Sequence, residues 1–199
     1  GSNTTGGQNV AVGVSALQEN TTGQYNNAFG VNTLRENTTG ANNTAYGWNA
    51  SRYNTTGASN TAVGSEALDA NTSGNNNVAL GRHSLGSNTT GSENTALGRS
   101  ALFANTTGYK NVSVGYAALD TNTTGAQNIA VGYEALTTNS TGGNNVAIGM
   151  NALKLTTTSN STAVGHNSLA ANTTGTANTA VGANALDAVT TTSNNTAVG

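Results

Sequence analysis

A glycine returns every seventeen residues along almost the whole chain: Gly13, Gly30, Gly47, Gly64, Gly81, Gly98, Gly115, Gly132, Gly149, Gly165, Gly182 and Gly199, with one interval of sixteen between Gly149 and Gly165. A fixed period of this kind signals stacked copies of one supersecondary unit. Counted from the residue after each glycine, the unit reads x-x-A-L-x-x-N-T-T-G-x-x-N-T-A-V-G. It is too short for a helical hairpin of about 34 residues, and its glycines and asparagines are helix breakers. Slots 13 to 17 read as a short strand, and the Ala-Leu pair in slots 3 and 4 as a second apolar element. The Asn-Thr-Thr-Gly run of slots 7 to 10 reads as a turn whose glycine supplies a positive φ. The predicted fold is all-β: a parallel β-solenoid with one coil per 17-residue repeat, continuous over 1–199 as about twelve coils, the first partial. Stacked strands of this kind pair at about 4.8 Å.

The copies can be compared slot by slot. All fourteen charged residues fall in slots 1, 2, 5, 6, 11 or 12, as do His83 and His166. Slots that never hold a charge are expected to be buried or sterically constrained. Leu fills slot 4 in every complete copy except at Ser51. Asn fills slot 13 in every copy except at Ser161, as in Asn9, Asn43, Asn60, Asn77 and Asn94, and also most copies of slot 7. Stacking predicts two asparagine ladders with side-chain amides bonded from coil to coil, flanked by the file of closing glycines Gly13, Gly30, Gly47, Gly64 and Gly81. Leu and Val are expected to stack in the core, and the Ala of slot 15 to give a flat, close-packing surface. Such thin coils look underfilled, which favours side-by-side association. Irregularity is expected at Met150–Gly165 and Ala183–Gly199, where the corner Asn and Gly are replaced.

Composition narrows the function. Charged residues make up 7% of the chain and the net charge is −2, which provides no basic footprint for nucleic acid. There is no cysteine for a disulfide or thiolate site and no proline to interrupt a ladder. No apolar run approaches the roughly 20 residues of a membrane span, so no membrane insertion is expected in this segment, and no secretion signal is recognisable. His83 and His166 stand five coils apart, and no slot is acidic in more than three copies. No catalytic, cofactor or metal residues are therefore expected. Ice binding by the Thr-Thr files is disfavoured, because adjacent residues point opposite ways and a glycine corner is not flat. The Asn-Thr-Thr sequons recur because the corner recurs. Trp48, Tyr53, Tyr109, Tyr116 and Tyr133 occupy exposed slots and are candidate contacts for a glycan or protein. Arg35, Glu36 and Arg52 are candidates for inter-chain pairs.

The segments Asn9–Gly13 (N-V-A-V-G), Asn60–Gly64 (N-T-A-V-G) and Asn145–Gly149 (N-V-A-I-G) resemble the S-V-A-I-G motif of trimeric autotransporter adhesin heads. The whole array also resembles N-T-T-G-x-x-N-T-A-V-G-x-x-A-L repeats of phage tail fibres and related bacterial surface proteins. The adhesin unit is usually shorter than the one here. The resemblance implies a left-handed β-roll, three chains per rod, an extracellular setting and an adhesive or shaft role. The expected function is the structural repeat region of an extracellular fibre, a rigid spacer and attachment surface. Its partners would be copies of itself and a host-surface glycan or protein, with no cofactor. The alternative is a self-assembling homopolymeric filament. The sequence begins mid-repeat, with Gly1 and Ser2 in slots 5 and 6, and ends on a closing glycine. That pattern leads to the expectation of a segment of a longer chain or of end-to-end stacking.

Overall fold

A computed structural model describes residues 3–199; Gly1 and Ser2, assigned to the partial first coil, lie outside the described residues. Each repeat contributes one three-residue strand: β1 (Val10–Val12), β2 (Asn27–Phe29), β3 (Thr44–Tyr46), β4 (Thr61–Val63), β5 (Val78–Leu80), β6 (Thr95–Leu97), β7 (Val112–Val114), β8 (Ile129–Val131), β9 (Val146–Ile148), β10 (Thr162–Val164), β11 (Thr179–Val181) and β12 (Thr196–Val198). The strands form one parallel sheet in sequence order, and no helix occurs among the described residues. The chain is a β-solenoid with one coil per repeat. Register is slot on slot, with Ala28 opposite Ala45 and Phe29 opposite Tyr46. It survives the short interval, where Ala147 pairs with Ala163. The missing residue is absorbed at the corner instead: the Thr157 hydroxyl donates to Thr173 O, while the next residue, Thr158, already stands over Gly142.

Backbone N–H groups point along the rod in both directions. Those of Leu34, Glu36 and Thr44 donate to Ala50, Arg52 and Asn60 of the following coil, at 3.1, 3.0 and 2.8 Å. Those of Asn32 and Gly47 donate to Val14 and Phe29 of the preceding coil, at 2.9 Å each. This alternation needs unusual backbone angles. In every coil a non-glycine residue takes the left-handed region at slots 2, 4 and 12, for example Asn32 (φ 56°), Leu34 (φ 49°) and Asn42 (φ 60°). A bulky residue seldom adopts that region, at a cost of roughly 1–2 kcal/mol. At slot 4 the cost is offset by full burial of the Leu side chain.

The core is narrower than the sequence implies. It consists of the slot 4 leucines and the alanines of slots 3 and 15, with the slot 7 and slot 13 asparagines beside them. Two expectations are corrected here. The slot 15 alanines (Ala28, Ala45, Ala62 and onward) are fully buried inside the coil and form no outer surface. The slot 16 residues do not enter the core: Val12, Tyr46, Leu80, Ile148 and Val181 are exposed. Strand alternation allows one parity inside, and the inward slots of this thin coil hold only Ala or Ser at slot 15 and Asn or Ser at slot 13. A third correction concerns the corner glycine of slot 10. Positive φ belongs to the closing glycines, between 130° and 139°, and not to Gly23, Gly40 or Gly57. Those corner glycines are needed for space: a Cβ on Gly23 would strike Gly40 O and, at 2.5 Å, Asn20 Oδ1.

Candidate functional surfaces

The two ladders form as the spacing predicts. In slot 13, the N–H of Asn26, Asn60, Asn77 and Asn94 donates to the side-chain Oδ1 of Asn9, Asn43, Asn60 and Asn77, at 2.8, 3.0, 2.9 and 3.0 Å. Each Nδ2 caps the corner carbonyl of the next coil, as from Asn43 to Gly57 O and Asn60 to Gly74 O, both 2.9 Å. In slot 7 the amides chain directly, Asn54 to Asn37 and Asn71 to Asn54 at 2.8 Å. The ladder breaks where slot 7 is Thr156 or Val189, leaving Asn139 Oδ1 and Asn172 Oδ1 buried without a partner. The closing glycines Gly13, Gly30, Gly47, Gly64 and Gly81 stack so closely that a Cβ on any of them would meet the next glycine's carbonyl, at 2.7 Å for Gly64.

The five aromatic candidates are all exposed but are not gathered into one site. Tyr116 and Tyr133 stack at 5.2 Å, with the Arg99 guanidinium 5.6 Å from the Tyr116 ring. Tyr53 is covered by Arg52 at 4.1 Å. Trp48 shares slot 1 with the tyrosine pair but lies several coils away, and Tyr109 stands apart in slot 11. A second stacked pair, Phe29 with Tyr46 at 4.6 Å, lies in slot 16, whose constant apolar or aromatic character in the sequence points to the core and hides a surface pair.

Ion pairs run from coil to coil within the chain, Arg52–Asp69 at 3.2 Å, Lys110–Glu93 at 3.9 Å and Lys154–Glu134 at 2.6 Å, and the His83 Nδ1 lies 2.7 Å from the Glu66 carboxylate. Arg52, a candidate for pairing with another chain, is thus engaged with Asp69. Burial holds the Asp69 and Asp120 carboxyls above their ordinary value, with Arg52 opposing the shift at Asp69. The Lys154 hydrogen bond holds Glu134 below it. No cluster of potential metal ligands occurs among the described residues. A shallow groove lies where Ala170 and Ala171 sit between Lys154, Leu155 and Asp187.

The most extensive surface feature is apolar. All the exposed large hydrophobic side chains except Tyr25, Tyr53, Phe103, Tyr109 and Leu155 belong to slots 14, 16 and 1, which make up the outer face of the sheet and its adjoining edge. No charged residue occupies slot 14 or slot 16 in any coil. In comparisons with known proteins, the chain matches no family model, no curated protein and no solved structure.

Proposed function

We propose that this chain is the repeat region of an extracellular fibre, in which three parallel chains join along their sheet faces into a stiff spacer and attachment surface. The observation that carries this reading is the uncharged outer face of the sheet, whose slot 16 is apolar or aromatic in all twelve strands beside a slot 14 of Val, Ile, Thr or Asn. A continuous patch of this kind on a soluble rod marks an association surface. Its outward Val, Ile, Leu and Thr side chains repeat at one coil spacing, so a second copy in parallel register meets them in every coil. The resemblance to adhesin heads and tail fibres supports three chains and a surface setting. The stacked Tyr116–Tyr133 pair with Arg99 is the part of the rod best suited to contact a host-surface glycan or protein.

Light scattering on the purified protein tests the assembly. A trimeric mass is expected, and a stable monomer at low concentration refutes it. Val78→Asp with Leu80→Asp, which places charges on the outer face of β5, should shift the mass to monomer while the far-ultraviolet circular dichroism of the coil persists. Electron microscopy of material from the native source tests the setting. Discrete rods of fixed length on a cell or particle support the fibre, and indefinite filaments with a repeating subunit support the homopolymer.

A further inference from the structure

Slot 9 carries a hydroxyl that the coil does not use. It is Thr or Ser in every full-length copy, as in Thr22, Thr39, Thr56, Ser73, Thr90 and Thr107, and each of these side chains is exposed. None of their hydroxyls makes a hydrogen bond to another described residue, whereas the neighbouring slot 8 hydroxyls, Ser140 and Thr190 excepted, donate to a carbonyl of the next coil. Thr21, Thr38 and Thr89 donate to the slot 8 carbonyl of the next coil at 2.9, 3.0 and 3.0 Å. Other exposed slots vary freely: slot 12 holds Tyr25, Asn42, Ser59, Glu93 and Lys110. A β-branched Val or Ile would suit the slot 9 backbone as well as Thr, yet neither appears. In the sixteen-residue copy the free hydroxyl is lost with the slot, and the Thr157 and Thr158 hydroxyls both donate to carbonyls of the next coil. An exposed hydroxyl kept in every full copy, with no partner inside the coil, has its partner outside it.

The geometry points to slot 9 as a file of O-glycosylation sites, one per full coil. Each hydroxyl stands at the tip of the corner, between a slot 10 glycine that is buried and a slot 7 asparagine that is buried in its ladder. The side chain is therefore free of bulky neighbours and open to a transferase cleft. In the reaction, Thr Oγ1 bonds to the anomeric carbon of a nucleotide- or lipid-pyrophosphate-activated sugar. The anomeric C–O bond to the phosphate breaks, the phosphate leaves with the electron pair, and the hydroxyl proton passes to a base of the transferase. Sites spaced at about 4.8 Å, close to the thickness of one pyranose ring, would bring sugars on successive coils into contact as a continuous sheath. Such a sheath solvates a rod with only 7% charged residues. The file is one hydroxyl wide over most of its length, because the slot 8 hydroxyls other than Ser140 and Thr190 are turned to carbonyls, so it offers no regular two-dimensional lattice to ice. The inference depends on the single coil and holds whatever the number of chains in the rod.

The test is peptide mass spectrometry, with electron-based fragmentation, of protein from the native source. Sugar mass increments are expected on slot 9 residues such as Thr22, Thr39 and Thr56 and not on Thr21, Thr38 or Thr55. Unmodified slot 9 peptides overturn the inference, as do increments spread equally over slots 8 and 9. A second measurement uses variants made in the native host. Thr39→Val should lose its increment and keep the parent melting temperature, whereas Thr38→Val should melt earlier. Equal destabilisation by the two would assign slot 9 a structural role and overturn the inference.

Discussion

Asn71 gives the sharpest test of what holds one coil to the next. Its Nδ2 donates to Asn54 Oδ1 at 2.8 Å and to Gly74 O at 3.0 Å, and its Oδ1 accepts from Asn88 Nδ2 at 2.9 Å. Asn71→Ala removes all three bonds. Gly74 O keeps its bond from Asn60 and Asn88 Nδ2 keeps Gly91 O, both at 2.9 Å. Asn54 Oδ1 alone is left buried with no partner. One orphaned acceptor and the lost bonds come to about 3 kcal/mol. Asn71→Asp has the same shape and still accepts from Asn88, but it sets an oxygen against Asn54 Oδ1 and Gly74 O where a donor stood. It also buries a charge with no cation beside it, so its cost at neutral pH is about 4 kcal/mol or more. Burial and the facing oxygens raise the carboxyl pKa in the folded state. The Asp variant is therefore least penalised below the ordinary carboxylate range, where its O–H can donate, and loses stability as pH rises through the folded pKa. Urea denaturation followed by circular dichroism, with hydrogen exchange in the flanking coils, should rank parent above Ala above Asp at pH 7. At acid pH the Asp variant should move towards the parent. An Asp variant as stable as the parent at pH 7 would refute the donor–acceptor assignment. At the natural breaks of Thr156 and Val189 the ladder is interrupted, yet the parallel sheet runs on through all twelve strands.

Three further outcomes follow from the coil. Gly64→Ala places a Cβ 2.7 Å from the Gly81 carbonyl at a φ of 134° and should cost about 3 kcal/mol; Gly7→Ala, whose Cβ has no neighbour within 4 Å, should leave the melting temperature unchanged. Leu102→Ala, in a fully buried slot 4 position, should lower stability by about 2–4 kcal/mol in calorimetry or urea titration. Asp120→Asn should stabilise at pH 7, because burial raises the Asp120 carboxyl from 3.8 and its Oδ1 has no partner. Since the folded state favours the protonated acid, the gain should disappear in melting curves recorded below about pH 3.

The distribution of charges over the slots was enough to place the leucines, both asparagine ladders and the strand register, because a position that rejects charge in every copy is constrained. It was not enough to tell the two faces of the strand apart. Slots 14 and 16 reject charge as firmly as slots 13 and 15, and hydrophobicity favours Val over Ala for the interior. The decisive quantity is the width of the coil, which no single residue encodes. The left-handed backbone at Leu34 and its equivalents was equally hidden, since leucine carries no preference for it. The free slot 9 hydroxyls could be separated from the engaged slot 8 hydroxyls only once the donors had been followed to their acceptors.

Because Ala147 still meets Ala163 across a copy one residue short, the seam between coils does not depend on which copies form it. Most repeats present the same backbone and asparagine donors and acceptors to their neighbours, the copies with Thr156 and Val189 excepted. Whole coils can therefore be added or removed, each changing the rod by about 4.8 Å, with the parallel register rebuilt at the new junction. Length becomes a quantity set in coil-sized steps, adjustable without redesign of the fold.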